Sequence, residues 1–301
     1  MILNLSIKRP AVSGIGRPRY PRDLLRMAMV LGFAVSLGGC GLGPRQVITT
    51  QAVQAPPELN SSQRLKATIK VADAAREAGN FQTAVDLYRK AISQGADSLE
   101  IHLNLGEALL GTGDINGAST EYKLVENRAP TDVRPEIGLG RLNLVRRQPA
   151  VALAAYNLAL QDAPGNLVAT NGKGIALDLL GRHLDAQAVY RRGLLSSPDD
   201  RTLRNNLGLS LVFTKNYDEA VSILTALAQE SDATARNRQN LALALGMQGD
   251  RTDAKMVAAH DLDDVSVENN LRYYDYMRGS PDVPAVDHFL AAPPAPQRPT
   301  P

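Results

Sequence analysis

The chain has 301 residues, 44% of them hydrophobic and none Trp, with 33 Lys and Arg against 31 Asp and Glu and a single cysteine. That length holds one large or two ordinary domains, and the apolar content is that of a folded chain, which excludes a wholly disordered polymer. One cysteine excludes an internal disulfide framework and a cysteine-rich zinc site, and a formal charge of +2 lacks the cation excess of a nucleic-acid binder.

The first segment reads as an address. Residues 1–26 carry six basic side chains (Lys8, Arg9, Arg17, Arg19, Arg22, Arg26) and one acid, Asp23, before the short apolar run Met27 to Leu37. A basic stretch followed by an apolar one and small residues is the pattern of a secretory signal, and the apolar run is too short to span a bilayer. It ends in Leu37-Gly38-Gly39-Cys40. This resembles the lipobox of bacterial lipoproteins, which implies cleavage of residues 1–39, acylation of Cys40 and membrane attachment through the lipid, since two or more acyl chains hold where one is marginal. Gly41 in place of Asp implies, by the same resemblance, the outer membrane, at its periplasmic face.

Without residues 1–39 the chain keeps 27 bases and 30 acids, a net charge of −3 that further disfavours phosphate binding. Residues 40–64 contain Pro44, Pro56 and Pro57 and no periodicity, the composition of a flexible tether reaching roughly 25 to 30 Å.

From position 65 the sequence repeats with a period of 34. Ala72, Gly106, Gly140, Gly174, Gly208 and Ala242 fall on one phase. Ala84, Ala118, Ala152, Ala186, Ala220 and Ala254 lie twelve places further on, and Tyr88, Tyr122, Tyr156, Tyr190, Leu224 and Ala258 four beyond those. Pro130, Pro164 and Pro198 close three of the periods. This order of small residue, Ala, aromatic and Pro resembles the tetratricopeptide repeat (TPR). The resemblance implies an all-α fold: a right-handed superhelical solenoid of helix-turn-helix units at 65–98, 99–132, 133–166, 167–200, 201–234 and 235–264.

Each phase has a physical reason to recur. A small residue in the first helix is expected to face the alanine of the second, letting two backbones approach, with the tyrosine filling the gap beyond. Gly79, Gly113, Gly181 and Gly249 share the phase of the turn between the helices, where a left-handed residue suits glycine. Arg147 and Lys215 occupy the same phase, so those two turns are expected to be less regular. Ser98, Asp132, Asn166, Asp200 and Thr234 precede the first helices as N-caps; Arg64 holds that place in the first unit, which marks it as atypical.

A capping helix follows at 265–279, with Ser266 as its cap and Val267, Leu271 and Tyr274 on one stripe; a solenoid needs such a cap on its last repeat. Residues 280–301 hold seven of the 18 prolines and read as a disordered tail.

Little in the sequence supports catalysis. His102, His183, His260 and His288 show no metal-ligand spacing, and Gly165 to Lys173 lacks both the spacing and the following Ser or Thr of a phosphate loop. No catalytic residue, metal or cofactor is expected, and no small-molecule substrate. The expected site is the groove lined by successive first helices. Its lining runs from charged (Asp73, Glu107, Arg141) to apolar (Ile175, Leu209, Leu243). Asn104, Asn171, Asn205, Asn206 and Asn240 are candidates for holding a peptide backbone, since a carboxamide both donates and accepts, and they stand outside the packing set. Arg134 and Arg141 could together grip a carboxylate.

A lipidated TPR chain ending in RNRQNLALALGMQGDRTDAKMVAAHDL and VENNLRYYDYMRG resembles the TadD-type lipoproteins of the tight-adherence (Flp) pilus assembly system. That resemblance implies a scaffold assisting assembly or outer-membrane localisation of a pilus secretin. The competing expectation is a general envelope TPR lipoprotein, an adaptor for cell-wall enzymes or outer-membrane protein assembly.

Overall fold

The computed structural model describes residues 60–279; the leader, Cys40 and most of the expected tether fall outside these, as does the tail from 280. Thirteen α-helices and no strand occupy the described residues. They form six consecutive pairs: α1 (Ser61–Glu77) with α2 (Phe81–Ser93), α3 (Leu99–Thr112) with α4 (Ile115–Arg128), and α5 (Arg134–Val145) with α6 (Pro149–Asp162). Then come α7 (Leu167–Leu179) with α8 (His183–Ser196), α9 (Arg201–Phe213) with α10 (Tyr217–Ala228), and α11 (Ala235–Gln248) with α12 (Arg251–Ala258). The helix α13 (Asp264–Gly279) closes the stack against α11 and α12.

The starts of the first helices are chemically specified. Ser98, Asn166, Asp200 and Thr234 each accept, through the side chain, the backbone N–H three places on, that of Ile101, Ala169, Leu203 and Asn237. Asp132 does not cap. Three places beyond it stands Pro135, which has no N–H to offer. Asp132 accepts instead from the backbone N–H of Arg134 at 3.0 Å, and α5 begins at Arg134. In the first unit the cap lies one turn ahead of Arg64: Asn60 and Gln63 form a reciprocal capping box, and α1 starts at Ser61, inside the expected tether. Nor does Ser266 cap α13. Asp263 accepts both the Ser266 N–H at 2.8 Å and its hydroxyl at 3.1 Å, and the helix begins ahead of Ser266, at Asp264.

All six turns within units follow one pattern, Arg147 and Lys215 included. The residue at the turn phase takes a left-handed φ, +55° at Arg147 and +61° at Lys215 beside +72° to +107° at Gly79, Gly113, Gly181 and Gly249. The next N–H then reaches back to the carbonyl five places earlier: Gln148 to Asn143 and Asn216 to Leu211 at 2.9 and 3.0 Å, just as Asp114 reaches Leu109. The expected irregularity is absent because the helix-end carbonyls need a donor more than the residue needs its preferred φ.

The small residues pack most closely against the large side chain of the tyrosine phase. A Cβ on Gly106 or Gly140 would first meet the tyrosine ring of its own unit, Tyr122 at 2.8 Å and Tyr156 at 2.7 Å. On Gly174 it would meet Tyr190 closer still, and on Gly208 it would meet Leu224 at 2.7 Å. Two of the rings also lie on the following unit: Tyr122 against Gly138 and Tyr156 against Gly172. These tyrosines therefore seal two units at once, while the alanines of the second helices are fully buried beneath. In α13, Val267, Leu271, Tyr274 and Met277 are buried, but Tyr276, one period after Ala242, is 72% exposed.

Candidate functional site

The first helices touch one another along the stack, α1 with α3, α3 with α5, and so on to α9 with α11; the second helices form no comparable row. Side chains of the same phase in successive first helices therefore stand side by side, and this sets the electrostatics of the expected groove.

In its first half the charges are already paired. Glu107 receives Arg76 on one carboxylate oxygen at 2.9 Å and Arg141 on the other at 3.0 Å. Asp73 accepts the Tyr88 hydroxyl at 2.6 Å and the Asn104 carboxamide at 3.2 Å. Arg134 is held by Asp132 and by Glu100 at 2.6 Å. Its guanidinium pulls the Asp132 carboxyl below the usual range. Arg134 and Arg141 thus form no joint clamp; each answers an acid one period earlier. Near Arg141, burial pushes the Tyr122 phenol up to about 12 although the guanidinium pulls the other way.

In the second half the asparagines converge. Asn206 donates to the Asn171 carboxamide oxygen at 2.6 Å and accepts from Asn205 at 3.2 Å, and Asn240 donates to Asn205 at 2.8 Å. A carboxamide ladder thus crosses α7, α9 and α11. Asn171, Asn205 and Asn206 remain half-buried, whereas Asn240 is only 3% exposed and belongs to the packing after all. Each carboxamide has two N–H donors and two acceptor sites, so the half-exposed members keep bonding capacity beyond the ladder. Ile175, Leu209 and Leu243 are buried beneath, forming a closed floor rather than an open apolar lining.

Two polar clusters escaped sequence reading. Asp178, buried on α7, accepts Ser210 at 2.7 Å and Tyr190 at 3.1 Å and faces His183 Nδ1 at 2.9 Å. Burial raises its carboxyl pKa against the pull of His183 and Ser210. Ser210 points its hydroxyl at the carboxylate rather than at the imidazole, so the trio does not prepare a nucleophile. The signal available was the phase: one period either side of Asp178 stand Leu144 and Val212. The second cluster is buried His102, whose ring nitrogens face Glu121 at 2.6 Å and Asp97 at 2.7 Å, with Arg128 on Asp97.

Among the described residues no group of three or more His, Cys, Asp or Glu is placed to hold a metal ion, and no helix is long and apolar enough to cross a membrane.

Comparison with known proteins agrees with this architecture. Tetratricopeptide-repeat family models match residues 75–136 and 171–236. Protein y4yS of Sinorhizobium fredii is 34% identical over 119 residues, covering 35% of this chain and 65% of that protein, so the match spans under two thirds of the relative. Among solved structures, a thermophilic TPR protein of Thermus thermophilus superposes with a TM-score of 0.55 at 18% identity, over 60% of this chain and 98% of its own. A tetratricopeptide repeat protein of Parabacteroides merdae gives 0.56 at 16%, over 71% and 88%. These two likenesses are of fold. The lattice of helix pairs, the family matches over these two stretches and the shared fold together give this chain a tetratricopeptide-repeat fold.

Proposed function

We propose that the protein is a non-enzymatic scaffold that binds a protein partner along its first helices, the role common to proteins built of this repeat. The observation that carries this reading is the carboxamide ladder across α7, α9 and α11, with Asn171, Asn205 and Asn206 half-exposed and able to bond an extended peptide backbone. We further propose that Cys40 is acylated and anchors the chain at the periplasmic face of the outer membrane, and that the partner is a pilus secretin. The lipobox-like leader and the TadD-like last repeat support these finer points. Arg141 is spent on Glu107 and supplies no free cation to the partner.

The test is pull-down of secretin from solubilised envelopes with the lipidated full chain and with the Asn171→Ala, Asn206→Ala variant. Wild type should recover secretin and the folded variant should bind it about fivefold to a hundredfold more weakly, since two lost hydrogen bonds are worth about 1 to 3 kcal/mol. Equal recovery would remove the ladder from the interface. No recovery by either would refute the pilus reading and leave the general envelope adaptor.

A further inference from the structure

Position 173 breaks the lattice in a way that opens the other side of the stack. Leu105, Leu139, Leu207 and Leu241 occupy its phase in four other units, and three of these are buried within the apolar core. Unit four has Lys173 instead, and a groove of about 920 Å³ lies between α6 and α8, floored by α7. That volume is within the usual range of ligand sites.

The lining is apolar with one sign of charge. Leu160, Val189 and Leu195 supply its apolar walls, and Leu195 is 85% exposed, an unusual degree for leucine in a helix packed into a stack. Lys173 and Arg192 are its ionic groups; no carboxylate lines it, and neither cation is paired with an acid among the described residues. Neighbouring Arg191, which points away from the groove lining, is by contrast paired with Glu219. From Ala188 to Ser196 the α8 wall covers eight steps, about 12 Å, enough for two turns of a partner helix. Gln161 on the opposite wall can bond a backbone at the rim.

The geometry points to a second docking surface, walled by second helices over the floor of α7: the groove between α6 and α8 receives an amphipathic acidic segment of a partner protein, its leucine-type side chains on Leu160, Val189 and Leu195 and its carboxylates on Lys173 and Arg192. This surface is independent of the carboxamide ladder, so one chain can hold two protein segments at once. Lys173 has the right chemistry for this position because its stem covers apolar wall while its ammonium stays at the rim, which a leucine would close.

The probe is a fluorescein-labelled ten-residue peptide of alternating Glu and Leu pairs, blocked at both ends, titrated against the full chain by anisotropy. Saturable binding is expected, weakening at least tenfold in Lys173→Glu with Arg192→Glu; the companion peptide with Lys for every Glu should show the reverse preference. Lys173→Leu restores the lattice, so it should fold at least as stably as wild type by thermal melting and still lose the peptide. Asn171→Ala with Asn206→Ala should bind it as wild type does, which separates this surface from the first. Failure of wild type to bind, or undiminished binding by the charge-reversed and leucine variants, would overturn the proposal. Displacement of the peptide by laurate at equal concentration would also overturn it, assigning the groove to acyl carboxylates instead.

Discussion

Gly172 at the start of unit four lies so close under Tyr156 of unit three that a Cβ on it would overlap the ring. The same ring covers Gly140 of its own unit, so one side chain sets the distance between two helices in a unit and between two units. At this phase of the repeat, such closeness occurs at the joints behind Tyr122 and Tyr156. Behind Tyr88 and Tyr190 the phase of Gly172 is held by Asn104 and Asn206, and those two phenols bond instead to Asp73 and Asp178.

Gly172→Ala is therefore expected to destabilise the fold by about 1 to 3 kcal/mol, the usual cost of overpacking, although Ala is the better helix former. Adding Tyr156→Leu should recover part of that loss. Urea unfolding of the single and double variants tests the coupling, and simple additivity would show that the contact does not set the spacing.

Arg147 and Lys215 hold left-handed conformations that cost a residue with a Cβ roughly 1 kcal/mol or more. Arg147→Gly and Lys215→Gly should each raise stability by up to about 1 kcal/mol, less whatever the freer unfolded glycine returns. Gly113→Ala should fall by a comparable amount. A loss of stability in both arginine and lysine replacements would mean that their side chains, not the turn, decide the balance.

Asn206→Ala and Asn240→Ala should part company. Asn240 is buried in the ladder, and its loss should lower stability by about 1 to 2 kcal/mol. Asn206 is half-exposed, and its replacement should cost less than about 1 kcal/mol. Denaturant midpoints of the two singles settle this.

Two carboxyls should give opposite pH signatures. Arg238 holds the Asp261 carboxyl below its usual range, so the folded pKa is the lower one. The stability this adds is present above about 4 and fades as pH falls through the depressed value. The melting-temperature gap between wild type and Arg238→Gln should accordingly shrink from pH 7 to pH 3. Burial raises the Asp178 carboxyl, so its folded form binds the proton more tightly and its contribution is lost as pH rises. Asp178→Asn should therefore gain on wild type between pH 4 and pH 7, measured by the same melts.

Cys40→Ser should abolish incorporation of radiolabelled palmitate if the lipobox-like leader is processed as its pattern implies. Wild-type labelling of the serine variant would refute the anchor.

How far the sequence could be read follows from what a period encodes. The lattice told which positions match, and so the helix pairs, most caps and the turn glycines were legible. It did not tell what each position faces: Gly106 and Ala118 share a unit, yet the glycine meets Tyr122. Asp132 has a capping side chain, but its capping failed through Pro135. The ion pairs were legible and overlooked. Glu100 with Arg134 and Glu107 with Arg141 are each one period apart, and an equal phase in adjacent units means adjacent side chains. The asparagine positions were visible as well, but that carboxamides from three helices satisfy one another depends on how the helices cross, which no spacing records.

Tyr276 bears on how such a chain can change in length. An array made by copying one unit can in principle be extended from either end, provided that each new second helix finds a small residue to rest on. At the far end that residue would have to stand one period after Ala242, and it is a tyrosine. A copy appended beyond α13 would find no such seat, so duplication at that end would first have to replace the ring. The count of repeats is thus protected at one terminus by a single bulky ring, and its replacement by alanine would be the first step for any longer descendant.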